Sequence, residues 1–148
     1  MKIINITEKS TKRKFNQDAF YSMKIGNYYY SLVADGFGTS QYSHIAAKYI
    51  TSEFDEFFNI KLLSSTDNIP KEDIIEQLRL IRKHLLSVKP HYDIQFGACL
   101  SILKYSELTN KYEVFHIGDT EIFAITKDKK LVKLTHDHNL GNYIINNS

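Results

Sequence analysis

The sequence predicts an α+β fold built from antiparallel sheets. Three observations carry that expectation. Aromatic and β-branched segments crowd the first third, two helical periodicities fill the middle, and short strand-like segments return in the last third. Strands and helices are thus segregated along the chain, which argues against alternating βαβ units and a parallel sheet.

Asp18 to Ile25 (DAFYSMKI) and Tyr28 to Ala34 (YYYSLVA) read as two strands. Gly26-Asn27 between them is turn chemistry, so the pair predicts a hairpin. The second strand is expected to end in a loop, Asp35-Gly36-Phe37-Gly38. Thr39 or Ser40 is suited to cap a following helix, in which Ala46, Ile50, Phe54 and Phe57 share one face. Leu63 to Ile69 is polar and turn-like. A second helix is expected from about Pro70 to Val88. Glu72 and Asp73 suit the positive end of its dipole, and Ile74, Leu78, Ile81 and Leu85 form its apolar stripe. Lys89-Pro90 ends it, because the residue before proline avoids helical backbone. Four strands follow: Phe96 to Tyr105, Tyr112 to Ile117, Glu121 to Thr126 and Lys130 to Leu134. Asn110-Lys111 and Asp128-Lys129 mark two of the turns between them. The segment from Asn139 to Ser148 is rich in asparagine and offers little to pack beyond Tyr143, Ile144 and Ile145.

A chain of 148 residues suits one domain, residues 1–148, with a sizeable core. Hydrophobic residues at 43% and charged residues at 24% exclude a disordered chain, and 6 glycines with 2 prolines exclude a collagen-like one. No apolar run approaches the ~18 residues of a membrane span. MKIINITEKSTKRK has too short an apolar stretch for a secretory signal. The single cysteine, Cys99, excludes a disulfide framework and a cysteine-built zinc site, and a reducing cytoplasm is the expected location. A net charge of +2, from 19 basic and 17 acidic residues, lacks the strongly basic balance of nucleic-acid binders. The one basic cluster, Lys9, Lys12, Arg13 and Lys14, reads as a solvated loop. Arg13 is notable within it, since arginine suits bidentate phosphate binding and the only others are Arg79 and Arg82.

Two acidic residues stand out by position. Asp18 opens the first hairpin strand and Asp35 closes the second, so an antiparallel pairing brings them to the same end of the sheet. Two close carboxylates repel unless a cation lies between them, and hard divalent cations such as Mg²⁺ and Mn²⁺ favour oxygen ligands of this kind. Gly36 would allow a close backbone approach, with its carbonyl as a further oxygen ligand. The alternative is that Asp35-Gly36 is a plain turn and Asp18 a strand-edge charge; the residues alone leave both open. Gly118-Asp119-Thr120 reads as an ordinary hairpin turn. His136-Asp137-His138 reads as a surface loop, with no third nitrogen ligand in view. Cys99 reads as a small buried hydrophobe, and the Tyr28-Tyr29-Tyr30 run as alternating core and surface. No Walker-type phosphate loop is present.

Five segments, in order, resemble motifs of one family. They are Arg13-Lys14-Phe15-Asn16-Gln17-Asp18, Val33-Ala34-Asp35-Gly36-Phe37-Gly38, Gly97-Ala98-Cys99-Leu100, His116-Ile117-Gly118-Asp119-Thr120 and Leu134-Thr135-His136-Asp137-His138-Asn139. The chain resembles the N-terminal part of the PPM-type (type 2C) metal-dependent serine/threonine protein phosphatases, in their bacterial form. The resemblance implies a sandwich of two antiparallel sheets flanked by helices, lacking the family's C-terminal strands, with a centre for two Mg²⁺ or Mn²⁺ ions at one end. It implies that Asp35 bridges both ions, the Gly36 carbonyl binds one, Asp18 holds metal waters and Arg13 grips the substrate phosphate. Gln17 and Asp119 have supporting places, and the implied substrate is a phosphoprotein.

Departures from the family pattern accompany the matches. Gln17 stands where a glutamate is usual, which removes a negative charge. Phe37 cannot act as an acid, whereas some members carry histidine there. Thr39 replaces a glycine, and Glu121 stands where arginine is frequent. The family's later Ser-Asp-Gly and Asp-Asn aspartates have no counterpart after Asn139, and Asp137 already matches another element. The metal site is accordingly expected to be incomplete and its cations weakly held. Uncovered sheet edges are expected to be covered by self-association, strand exchange or a partner chain. Two functions follow: a metal-dependent phosphatase acting on phosphoserine or phosphothreonine, or a catalytically degenerate module that binds a phosphoprotein or partner.

Overall fold

The hairpin strands Asp18–Ile25 (β1) and Tyr28–Gly36 (β2) are joined by Ala98–Ser106 (β3) and Tyr112–Ile117 (β4) in one antiparallel sheet, ordered β1-β2-β3-β4. The computed structural model describes residues 3–37, 40–92 and 95–136. Helix Ser43–Leu63 (α1) packs on β1, β2 and β3, and helix Lys71–Val88 (α2) packs on α1. A single 3₁₀ turn, Lys89–His91, closes α2. Phe123–Ile125 (β5) and Leu131–Lys133 (β6) form a separate two-stranded sheet.

Strand alternation divides the large sheet into two unlike faces. Ile25, Tyr30, Leu32, Ala34, Leu100 and Ile102 point at the helices and are buried with Ile50, Phe54 and Phe58 of α1 and Ile74 and Ile81 of α2. Register sets the other face in rows. The first holds Asp18, Asp35 and Cys99, and the second Phe20, Val33, Ser101 and His116. Phe20 and Val33 stay exposed there. Phe20, Val33 and Leu103 of this face share a cavity of about 630 Å³ with Ile122 and Phe123 of the small-sheet region. Neither β1 nor β4 has a strand on its outer edge among the described residues.

The loop between the helices is tied to the sheet by buried polar groups. The Tyr30 hydroxyl accepts the Ile69 N–H at 3.0 Å. Lys104 Nζ donates to the Ile69 carbonyl at 2.9 Å and to Glu113 at 3.0 Å. A buried ammonium is tolerated because each of these contacts replaces lost water.

Several expected boundaries shift. β2 runs two residues beyond Ala34, so Asp35 and Gly36 are ladder residues paired with Cys99 and Ala98, not a loop. Their pairing with β3 is long-range, which a local reading of Asp-Gly as turn chemistry misses. α1 starts at Ser43 without a side-chain cap. Ser40 instead accepts the Tyr42 N–H through its hydroxyl at 3.2 Å, and Thr39 lies outside the described residues. Phe58, rather than Phe57, is the fully buried ring of the last turns. Leu78 and Leu85 are only partly buried because α2 rests on α1 along one narrow seam. The last strands are shorter than expected, and β3 begins at Ala98 rather than Phe96. Gly38, Asp137, His138 and the segment from Asn139 lie outside the described residues.

Candidate functional site

Asp18 and Asp35 face each other directly across the β1–β2 ladder. The chain just before β1 holds that register. The Gly36 N–H donates to the Gln17 carbonyl at 3.0 Å, and the Asp18 N–H donates to Asn16 Oδ1 at 3.1 Å. The Gln17 side chain donates to the Ser40 carbonyl at 3.0 Å, which ties the strand end to the approach to α1. Gly36 is needed for packing: a Cβ there would lie 2.6 Å from the Ser43 carbonyl oxygen. The close approach that glycine permits is therefore to the first residue of α1.

Asp119 completes an acidic group. The turn preceding it uses Gly118 at φ +104, where a Cβ would lie 2.2 Å from Cys99 Sγ. The Asp35 carboxyl is pushed up to about 6, first by burial, then by its hydrogen bond with Asp18, then by the charges of Asp18 and Asp119. Burial also pushes the Cys99 thiol up to about 11. The Asp119 backbone opposes this shift, while the Asp119 carboxylate, hydrogen-bonded to the thiol, and the Asp35 charge add to it. Cys99 is half-buried against these carboxylates rather than packed as a hydrophobe, and it stays a thiol at neutral pH.

The site residues expected from sequence fall into two places. Asp18 and Asp35 line the 630 Å³ cavity, the Asp119 charge acts on Asp35, and Gly36 follows Asp35 in β2 with its Cβ direction toward α1. Arg13 lines a different cavity, of about 400 Å³, with Lys12, Lys14, Gln17 and His44. Gln17 thus borders the basic cavity while its neighbour Asp18 borders the acidic one.

Sequence reasoning missed three features. Ser101 Oγ lies 2.8 Å from His116 Nδ1 and 2.6 Å from Thr120 Oγ1, a polar chain in the row beside Asp35. Register pairing of Ser101 with His116 could have shown it; neither residue is unusual by itself. Residues Ile4 to Glu8 form a wall of the carboxylate cavity, and no local signal in them marks that role. His44 joins the basic cavity because its ring stacks on Phe15 at 4.4 Å between centroids.

The donor chemistry suits a hard divalent cation. Two facing carboxylates with a third at electrostatic range form an oxygen-only set whose mutual repulsion a cation relieves. Among the described residues, no three His, Cys, Asp or Glu side chains converge on one ion position. Water and backbone carbonyls would have to complete the coordination shell, as Mg²⁺ commonly allows.

Comparison with known proteins identifies the family to which this α+β fold belongs. The family profile described as protein phosphatase 2C matches residues 7–146, and the chain belongs to that family. Among solved structures it is similar to the serine/threonine phosphatase Stp1 from Staphylococcus aureus, with a TM-score of 0.73 and 17% identity over 96% of this chain and 56% of that one. It is similar to the PPM Ser-Thr phosphatase MsPP from Mycobacterium smegmatis in complex with cacodylate, with a TM-score of 0.70 and 21% identity over 95% and 55%. RsbX in complex with magnesium gives a TM-score of 0.65 and 13% identity over 89% and 57%. At these identities the likeness is one of fold. The chain spans 55–57% of the length of these three structures. No curated protein matches the sequence significantly. Among the described residues, no helix is long and apolar enough to cross a membrane.

Proposed function

We propose that the chain is a metal-dependent phosphomonoester hydrolase acting on phosphoserine or phosphothreonine in proteins. The observation that carries this reading is the direct Asp18–Asp35 pair, with Asp119 acting on Asp35. Asp35 and Asp18 would hold Mg²⁺ or Mn²⁺ with the Gly36 carbonyl, and Arg13 would grip the substrate phosphate from the neighbouring basic cavity. Bound there, the cations would supply Lewis acidity toward water and phosphate. Gln17 would keep Asp18 and Asp35 in register through its bonds to Gly36 and Ser40. Asp119 would raise the negative potential that draws cations to the rim.

A second reading is a phosphatase-like module that binds a phosphoprotein without turning it over. One observation favours it: no three metal-binding side chains converge among the described residues. Mn²⁺-dependent hydrolysis of p-nitrophenyl phosphate separates the two, with Asp35→Asn as control. Turnover that Asp35→Asn abolishes supports the enzyme; no turnover above that control leaves the binding module. A reducing cytoplasm suits the single thiol at Cys99. The edges of β1 and β4, unpaired among the described residues, and the exposed Phe20 and Val33 favour coverage by a second copy or a partner chain. Sedimentation tests the second-copy form of that idea: a monomer at all concentrations would exclude self-association.

A further inference from the structure

Lys12, Arg13, Lys14 and His44 stand around one cavity of about 400 Å³ whose other walls are Phe15, Gln17, Gln41 and Tyr42. Among the described residues, no carboxylate lines it. The loop that presents the three consecutive cations is organised by its own hydrogen bonds. Lys9 Nζ donates to the Arg13 carbonyl at 2.8 Å, the Arg13 N–H donates to the Ser10 carbonyl at 3.1 Å, and the Lys12 N–H donates to Ser10 Oγ at 3.3 Å. Phe15 stacks on His44 and lies under Lys14 Nζ, 5.3 Å from the ring centroid, which fixes the aromatic wall between two of the basic groups. The sequence alone gave this cluster the reading of a solvated loop; the fold gathers it into a concave basic pocket.

Position gives the pocket its meaning. Gln17 lines it, and the next residue, Asp18, lines the acidic cavity. Consecutive Cα atoms are about 3.8 Å apart, and an extended peptide advances about 3.3 Å per residue. A phosphopeptide with its phosphoryl group at the Asp18–Asp35 rim would therefore bring residues about one to three positions away to the basic pocket. Resting on the phosphatase reading above, we infer that this pocket selects substrates with acidic or further phosphorylated residues beside the target phosphoserine or phosphothreonine. Lys12, Lys14 and His44 recognise the flanking anions. Exposed charge pairs are individually weak, so the expected selectivity is modest.

The test is fluorescence anisotropy of labelled phosphopeptides with the intact chain. Peptides carrying Asp or Glu on both sides of the phosphoserine should bind about three- to tenfold tighter than the same peptides carrying Lys, a gap of the size that a few exposed pairs provide. Raising salt should shrink the gap, because surface charges are screened. The double variant Lys12→Glu, Lys14→Glu should reverse the preference. Equal affinity for both peptides at low salt, a preference that survives the double variant, or equally tight binding of single-stranded DNA would overturn the inference. The salt series uses the unmodified chain, so it stands even if the double variant folds poorly. Turnover plays no part in this readout: absent hydrolysis of p-nitrophenyl phosphate would remove the enzymatic reading and leave the flank preference to be judged on binding.

Discussion

Asp18 and Asp35 are direct cross-strand partners, and Asp35 in turn pairs with Cys99 on the next strand. Two carboxylates in that relation, with no basic residue in their row, make the strand ends a site where the folded protein works against itself unless a proton or a cation intervenes.

That tension gives a pH dependence. The Asp35 carboxyl is raised from 3.8 to about 6 in the folded chain. A raised folded-state value means that the native state binds this proton more tightly than the unfolded state. The stabilising contribution is fully present below about pH 4 and is lost as pH rises through about 6. The melting temperature of metal-free protein should therefore fall less steeply, or rise, between pH 5 and 7 in Asp35→Asn relative to wild type. Thermal unfolding in EDTA at both pH values checks this; parallel profiles would contradict it.

Removing one partner should relax the other. In Asp18→Asn the Asp35 value should move down toward the ordinary carboxylate range without reaching it, since burial is its largest cause. NMR titration of the labelled aspartate carboxyl carbons reads this shift. An unchanged Asp35 titration would mean that the two groups do not sense each other.

The carboxylate strand also depends on its seat against α1. Gly36→Ala places a Cβ 2.6 Å from the Ser43 carbonyl oxygen, backbone that cannot swing aside. A cost of about 1–3 kcal/mol is expected, the usual range for overpacking a filled interior. Urea unfolding measures it, and a variant as stable as wild type would show that α1 is free to shift.

Tyr30→Phe tests the link between sheet and inter-helix loop. It leaves the buried Ile69 N–H without the hydroxyl that accepts it at 3.0 Å. An orphaned buried donor costs about 1–3 kcal/mol, visible as a lower urea midpoint at unchanged slope.

Element types were legible in the sequence because they rest on local periodicity. The hairpin was readable from Gly26-Asn27 and two β-rich runs, and Gly26 does take the left-handed backbone that its turn requires. The Asp18–Asp35 encounter was legible for the same reason, as antiparallel pairing joins one strand's start to the other's end. What escaped was non-local. Gly36 is paired only by β3, over sixty residues on, which also pairs with Asp35 on the side away from β1. The polar chain of Ser101, His116 and Thr120 needs the β3–β4 register to exist at all. Arg13, to which the resemblance gives the substrate phosphate, lines the neighbouring basic cavity on a loop with its own hydrogen bonds, a placement that motif order does not show.

Calorimetric titration of the metal-free chain with Mn²⁺ at pH 7.5 tests the cation site most directly. Saturable binding in wild type, lost or weakened at least tenfold in both Asp35→Asn and Asp18→Asn, is the predicted result, as each variant removes one of the two facing carboxylates. No binding to wild type, or equal binding to all three proteins, would contradict a cation held between these residues.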